Sequence, residues 1–120
     1  MRLPVPPTAN QLHGRGKFGQ YKNRTSRNYE EAIKAILISE GIRPIRKPSD
    51  VVIRIRWFRR AKQGDVDNKL KLLLDALQSG KRKFGAYEND SQIKRIEIER
   101  FEDPEKKGYL EVEVLTSSEN

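Results

Sequence analysis

Asp65 and Asp67 stand one residue apart in the stretch GDVDNKLKLLLDAL, residues 64–77, and Lys71 follows four residues after the second. Two carboxylates separated by a single residue, where a strand hands over to a helix, can converge on one cation. Hard divalent ions such as Mg²⁺ take oxygen ligands and commonly bind through one or two carboxylates plus substrate phosphates. A third acid, Asp90, lies in FGAYENDSQI, with Glu88 as its rival. If the strand after Asp90 lies beside the Asp-x-Asp junction, three carboxylates gather in one place. A metal held there neutralises a scissile phosphate, lowers the pKa of an attacking water and stabilises the leaving oxygen. Lys71 would add positive charge where the transition state becomes more negative.

The same residues have a plainer reading. Asp67 could be the N-cap of the helix, worth about 1 kcal/mol. Asp65 would then be a solvated loop residue, and Asp67 with Lys71 an ordinary i, i+4 pair. An EF-hand is a poor fit, because Leu70 stands where the loop glycine belongs and Ala76 where the bidentate glutamate belongs. Charge is what favours the metal. Acids embedded in a basic surface repel a phosphate backbone unless a cation sits between them.

The chain of 120 residues carries 25 Lys+Arg against 17 Asp+Glu, a net charge of +8. Residues 1–64 hold 15 basic against 4 acidic residues, and residues 65–120 hold 10 against 13. A basic half joined to a mildly acidic half points to a polyanionic partner, most simply nucleic acid. Arg15, Lys17, Arg59, Arg60, Lys62, Lys81 and Lys83 are candidate phosphate contacts. Phe18 and Tyr21, set among basic residues, could stack on bases or pin their segment to the core. The absence of cysteine excludes disulfides, zinc–thiolate sites and cysteine nucleophiles. No apolar run reaches the roughly 18 residues of a membrane span, and the N-terminus lacks a signal-peptide pattern, so a cytoplasmic protein is expected. His13 lies in a basic loop with no identifiable partner and is not expected to be a general base. Two rival classes stand beside an enzyme: a non-catalytic basic module that binds nucleic acid, and a domain that docks an acidic protein.

The elements that must position these residues follow from periodicity. RLPVPPT is extended and at most a short edge strand, because Pro4, Pro6 and Pro7 forbid a helix. Residues 9–25 read as a basic loop. SRNYEEAIKAILISEGI reads as a helix, with Tyr29, Ile33, Ile36 and Leu37 on its apolar face. Asn28 with Glu31, or Ser26, would cap it, and Gly41 would stop it. VVIRIRWF alternates strictly, so Val51, Ile53, Ile55 and Trp57 share one face. The second helix spans roughly 67–79, with Val66, Leu70, Leu73, Leu74 and Leu77 as its apolar stripe. Along a neighbouring stripe, Asp67, Lys71 and Asp75 step by four. IKRIEIERF and YLEVEVL read as a β-hairpin, and residues 116–120 as a frayed tail. The order β-α-β-α-β-β implies one small α+β domain over residues 1–120, its helices packed on one face of a mixed sheet.

The segments LPVPPTANQL, DVDNKLKLLLDAL and FGAYENDSQI, together with the length, resemble the RusA-type Holliday junction resolvases, small endonucleases of bacteria and their phages. The resemblance runs over nearly the whole chain and is most specific in the Asp-x-Asp-Asn with its following lysine. It implies a homodimer that binds four-way junction DNA and nicks two opposed strands with Mg²⁺ or Mn²⁺. The family's metal-binding aspartates fall on Asp65, Asp67 and Asp90, its catalytic lysine on Lys71, and the asparagine after its Asp-x-Asp on Asn68, expected to shape the site or contact DNA. Two departures stand out. Gln63 and Gly64 separate the basic run from Asp65, and Asn89 replaces a second acid beside Asp90.

Overall fold

The computed structural model describes residues 1–7, 13–16, 19–22, 24–59, 66–80 and 84–117, with the backbone alone for 13–16, 19–22 and 66–68. β4 (Val51–Arg59) is the strand around which the sheet is built. Its inward residues Val51, Ile53, Ile55 and Trp57 are at most 4% exposed, as strict alternation predicts. β5 (Ile93–Glu102) pairs with one edge of β4 in parallel, and β6 (Tyr109–Thr116) pairs with the other edge antiparallel. β1 (Arg2–Leu3) closes the outer edge of β6, so the order is β1-β6-β4-β5. The register puts Ile96, Ile53 and Val114 in one row and Ile98, Ile55 and Val112 in the next.

The expected hairpin of β5 and β6 is not formed, because β4 lies between them. β4 carries a buried Val52 besides its inward row, and two neighbours shield such a strand better than one. The connection from β5 to β6 therefore steps over the end of β4, a gap of about 10 Å, or twice the interstrand spacing. Asp103 makes that step. Its N–H donates to the Arg59 carbonyl at 3.0 Å. Its carboxylate accepts the N–H groups of Glu105 (3.0 Å), Lys107 (3.0 Å) and Gly108 (2.9 Å). These bonds, those from Gly108 and Glu105 foremost, hold its pKa below the ordinary carboxylate value.

Both helices lie on the inner face of the sheet and share its core. α1 (Arg24–Ser39) buries Tyr29, Ile33 and Leu37, as the spacing predicts. It begins before Ser26 and Asn28, so neither caps it. Its end is the expected one. Gly41 adopts φ +67°, its N–H donates to Ile38 and the Ile42 N–H to Leu37, which together satisfy two end carbonyls. The Tyr29 hydroxyl donates to the Pro4 carbonyl at 2.9 Å and ties α1 to the segment after β1.

α2 (Val66–Leu77) starts one residue before Asp67, which places Asp67 in the first turn and not at the cap. Its buried face is Lys69, Leu72, Leu73, Ala76 and Leu77, rotated from the stripe read in the sequence. Leu70 and Leu74 are only partly buried. Within the expected 9–25 loop, β2 (His13–Gly16) and β3 (Gly19–Lys22) pair as an antiparallel ribbon. At the other end Thr116 pairs with Val51 and the Ser117 N–H donates to Asp50, so the expected frayed tail is anchored through Ser117, and 118–120 lie outside the described residues.

After α2 the chain returns against the helix it has just left. The Ala86 N–H donates to Leu77 (2.6 Å) and the Ser79 N–H to Tyr87 (2.8 Å). Gly85 permits this, since a Cβ there would fall within 2.6 Å of the backbone of Leu77, Gln78 and Ser79. Gly85→Ala is expected to lower stability by at least the roughly 1–3 kcal/mol of an overpacked core, read in a denaturant melt. Asp103→Asn is expected to lower the melting temperature at pH 7. A carboxylate whose folded pKa is depressed stabilises above its unfolded value of about 3.9 and stops doing so as pH falls through the lower folded value. The gap between wild type and Asp103→Asn should therefore close below about pH 4 in thermal melts across a pH series.

Candidate active site

Leu70, Lys71, Leu74, Asp75 and Asp90 line one open depression of about 340 Å³ beside α2. Lys71 and Asp90, paired as site residues from sequence, are thus brought together, both with exposed side chains. Lys71 and Asp75 are one helical turn apart and face the same space. The rotation of α2 explains this. With Lys69, Leu72, Leu73 and Ala76 turned inward, the i, i+4 pair of Lys71 and Asp75 is carried to the rim.

Asp90 is presented by a rigid corner. It opens a short 3₁₀ turn, Asp90–Gln92, capped by Asn89, whose side chain accepts the Ser91 N–H at 2.8 Å. Gln92 is 4% exposed, and its amide uses both ends. Oε1 accepts the N–H groups of Glu88 (2.9 Å) and Asn89 (2.9 Å), while Nε2 donates to Ile45 (3.1 Å) and Ser49 (3.0 Å). Asn89, which stands where an acid was expected, therefore acts as a cap. Glu88 is engaged elsewhere: its Oε1 accepts the Lys47 N–H at 2.8 Å, and it is not among the residues lining the depression.

Tyr87, fully buried, sits under the corner, and its hydroxyl donates to the Leu74 carbonyl at 2.7 Å. Burial, then the negative charges of Asp90 and Asp75 and a hydrogen bond to Asp90, push its pKa far above the ordinary tyrosine value. Asp75 lies on the stripe that spacing placed beside Lys71, whereas Tyr87 and Gln92 are neighbours of the depression that spacing did not single out. The Asn89-x-x-Gln92 pattern was a readable signal for the last, since it has the form of a capping box.

The other expected site residues divide into three groups. Asp65, Lys17, Arg60, Lys62, Lys81 and Lys83 lie outside the described residues, while Arg15, Asp67 and Asn68 are placed by backbone alone. Asp67 precedes Lys71 by four residues, a rise of about 6 Å along the helix. Arg59 is described, and its guanidinium lies 3.8 Å from Glu102 in a surface pair of small energetic weight. Among the described residues, which include neither Asp65 nor the Asp67 side chain, no group of three or more His, Asp or Glu is close enough to hold a metal. The donors at hand are carboxylate oxygens, the set that suits Mg²⁺ or Mn²⁺.

A larger groove of about 430 Å³ lies on the outer face of the sheet. Arg54 and Arg56 line it with Glu97, Glu99, Glu111 and Glu113, and Arg54 is paired to Glu97 at 3.2 Å. Acids outnumber bases there, which disfavours a phosphate backbone. Among the described residues no helix is long and apolar enough to cross a membrane.

The sequence finds no match among curated proteins. It does match the family model for endodeoxyribonuclease RusA over residues 4–115, a span that includes the Asp-x-Asp motif, Lys71, the capped corner at Asp90, β4, β5 and all of β6 but Thr116, and leaves out the two residues of β1. The chain belongs to the endodeoxyribonuclease RusA family.

Proposed function

We propose that this chain is a divalent-metal-dependent endodeoxyribonuclease that resolves four-way (Holliday) junctions by paired nicks, serving DNA recombination and repair in the cytoplasm of a bacterium or a phage-infected cell. The supporting observation is that Lys71 and Asp90, nineteen residues apart in sequence, line one depression in a chain of the RusA family. Asp65, Asp67 and Asp90 would hold Mg²⁺ or Mn²⁺, which when bound neutralises phosphate charge and makes a water a better nucleophile. Lys71 directs its ammonium at the scissile phosphate and stabilises the charge that accumulates on its oxygens. Asn68, in the first turn of α2, orients the carboxylates beside it or the DNA strand.

Phosphate contacts come from Arg15, Lys17, Arg59, Arg60, Lys62, Lys81 and Lys83, so binding should weaken steeply with salt. A four-way junction has two-fold symmetry, and two opposed cuts need two sites, which a homodimer supplies. Asp67→Asn and Asp90→Asn are expected to bind a synthetic junction in gel shifts as wild type does but to lose nicking. Lys71→Ala should reduce nicking by about 100- to 1,000-fold. Nicking at the wild-type rate by either aspartate variant would overturn the reading in favour of a basic module that only binds.

A further inference from the structure

Both helices lie against the inner face of the sheet, and the outer face is open. Phe101 and Leu115, two of the three large apolar side chains exposed among the described residues, lie on it. The register sorts the outer side chains by strand. β1 carries Arg2, β6 carries Glu111 and Glu113, β4 carries Arg54 and Arg56, and β5 carries Glu97 and Glu99. Across the sheet the strands thus read positive, negative, positive, negative. Glu97, Arg54 and Glu113 share one row, and Glu99, Arg56, Glu111 and Arg2 share the next. Apolar groups mark the two ends. Phe101, Phe58 and Tyr109 stack in one row, with ring centroids 5.0 and 4.5 Å apart, and the Arg2 guanidinium lies 4.0 Å over the Tyr109 ring. Val52 and Leu115 mark the other end, beside Arg95, which pairs with Glu97 at 3.3 Å.

We infer that this face packs on the same face of a second copy of the chain, about a two-fold axis that runs nearly parallel to the strands between β4 and β6. The inference rests on the homodimer read above and names its face. Such a rotation reverses the order of the strands and keeps the rows in step. β4 of one copy then lies over β6 of the other, and β1 over β5. Arg54 faces Glu113 of the second copy, Arg56 faces Glu111, and Arg2 faces Glu99. Phe58 meets Tyr109, and Val52 meets Leu115. Every contact occurs twice, as a two-fold interface requires. Turning the copy about an axis across the strands would instead lay each strand over itself, arginine on arginine and glutamate on glutamate. Opposite charges face to face select the partner and its register, while like charges exclude the alternatives. A DNA backbone would meet the four glutamates of the groove. Four strands spaced by about 4.8 Å and eight residues rising about 3.3 Å each give a face of about 19 by 26 Å. Side-chain relief adds to that footprint, which reaches the roughly 1,000 Å² that two partners together bury in a specific interface.

The test is analytical sedimentation of the full-length protein without DNA. Wild type should be a dimer. Arg54→Glu with Arg56→Glu gives β4 the sign of β6, and Glu111→Arg with Glu113→Arg gives β6 the sign of β4. Each double variant should associate with itself at least about 100-fold more weakly than wild type. A one-to-one mixture of the two should restore the dimer, because every strand of one variant then faces the opposite sign on the other. A monomeric wild type would overturn the inference and the homodimer reading together. If each variant alone dimerises as wild type does, the dimer uses another surface; the inference falls and the homodimer reading stands. A mixture that stays monomeric while both variants melt cooperatively would also overturn the inference. Should either variant not fold, the wild-type protein decides the matter. In a sample mixing isotope-labelled and unlabelled chains, isotope-filtered NMR must show contacts between the Phe58 ring of one copy and the Tyr109 ring of the other. A dimer without those contacts would overturn the inference.

Discussion

Backbone meets backbone at Gly85, where the chain coming back from α2 lies so close to Leu77–Ser79 that no side chain fits between them. The placement of Asp90 beside α2 depends on that approach. It lets Ala86 and Tyr87 bond to the last turn of α2, and so places the next residues at the flank of the helix. Asn89 caps the short turn that follows, and Gln92 ties the turn to the Ile45–Ser49 loop on its other side. Asp90 is then delivered to the depression lined by Lys71 and Asp75, immediately before the chain enters β5 beside the central strand. A short corner held by these hydrogen bonds fixes the backbone that carries the Asp90 carboxylate.

The distribution of charge fits this placement. The outer sheet face pairs arginines with a larger number of glutamates, so its charges largely answer one another. On the α2 side, Asp75 and Asp90 share a small open space with Lys71. Carboxylates beside a lysine form a poor surface for a phosphate backbone by themselves, and a good one once a divalent cation is added. The basic half of the chain supplies attraction to a polyanion, while the acids belong to the later half, where the chemistry is expected.

Several parts of the fold were readable because local physics determined them. The alternation of β4 survives as a buried row, and Gly41 ends α1 with the positive φ that its position requires. Lys71 and Asp90, which the sequence offers in two separate motifs, line one depression. Other features depended on contacts between distant segments. IKRIEIERF and YLEVEVL are close in sequence and look like a hairpin, yet β4 is the partner of both, and strand pairing is decided by which strand is hidden. The apolar stripe of α2 was read with Leu70 and Leu74 inward, although Leu72 and Ala76 take that side. A helix with leucines around much of its circumference does not specify its own rotation; the sheet and α1 do. Tyr87 gave no sign of its place, because a tyrosine between glycine and acids reads as loop until its burial is known.

The central claim is that these carboxylates and Lys71 cut branched DNA with a divalent cation. It is tested most directly by incubating the purified protein with a synthetic four-way junction and with linear duplex, each in Mg²⁺ or in EDTA, and mapping the cuts on every strand. The account predicts symmetric nicks on two opposed strands of the junction in Mg²⁺, none in EDTA, and an uncut duplex. Junction binding with no nick in Mg²⁺ or Mn²⁺, or cleavage that persists in EDTA, would contradict it.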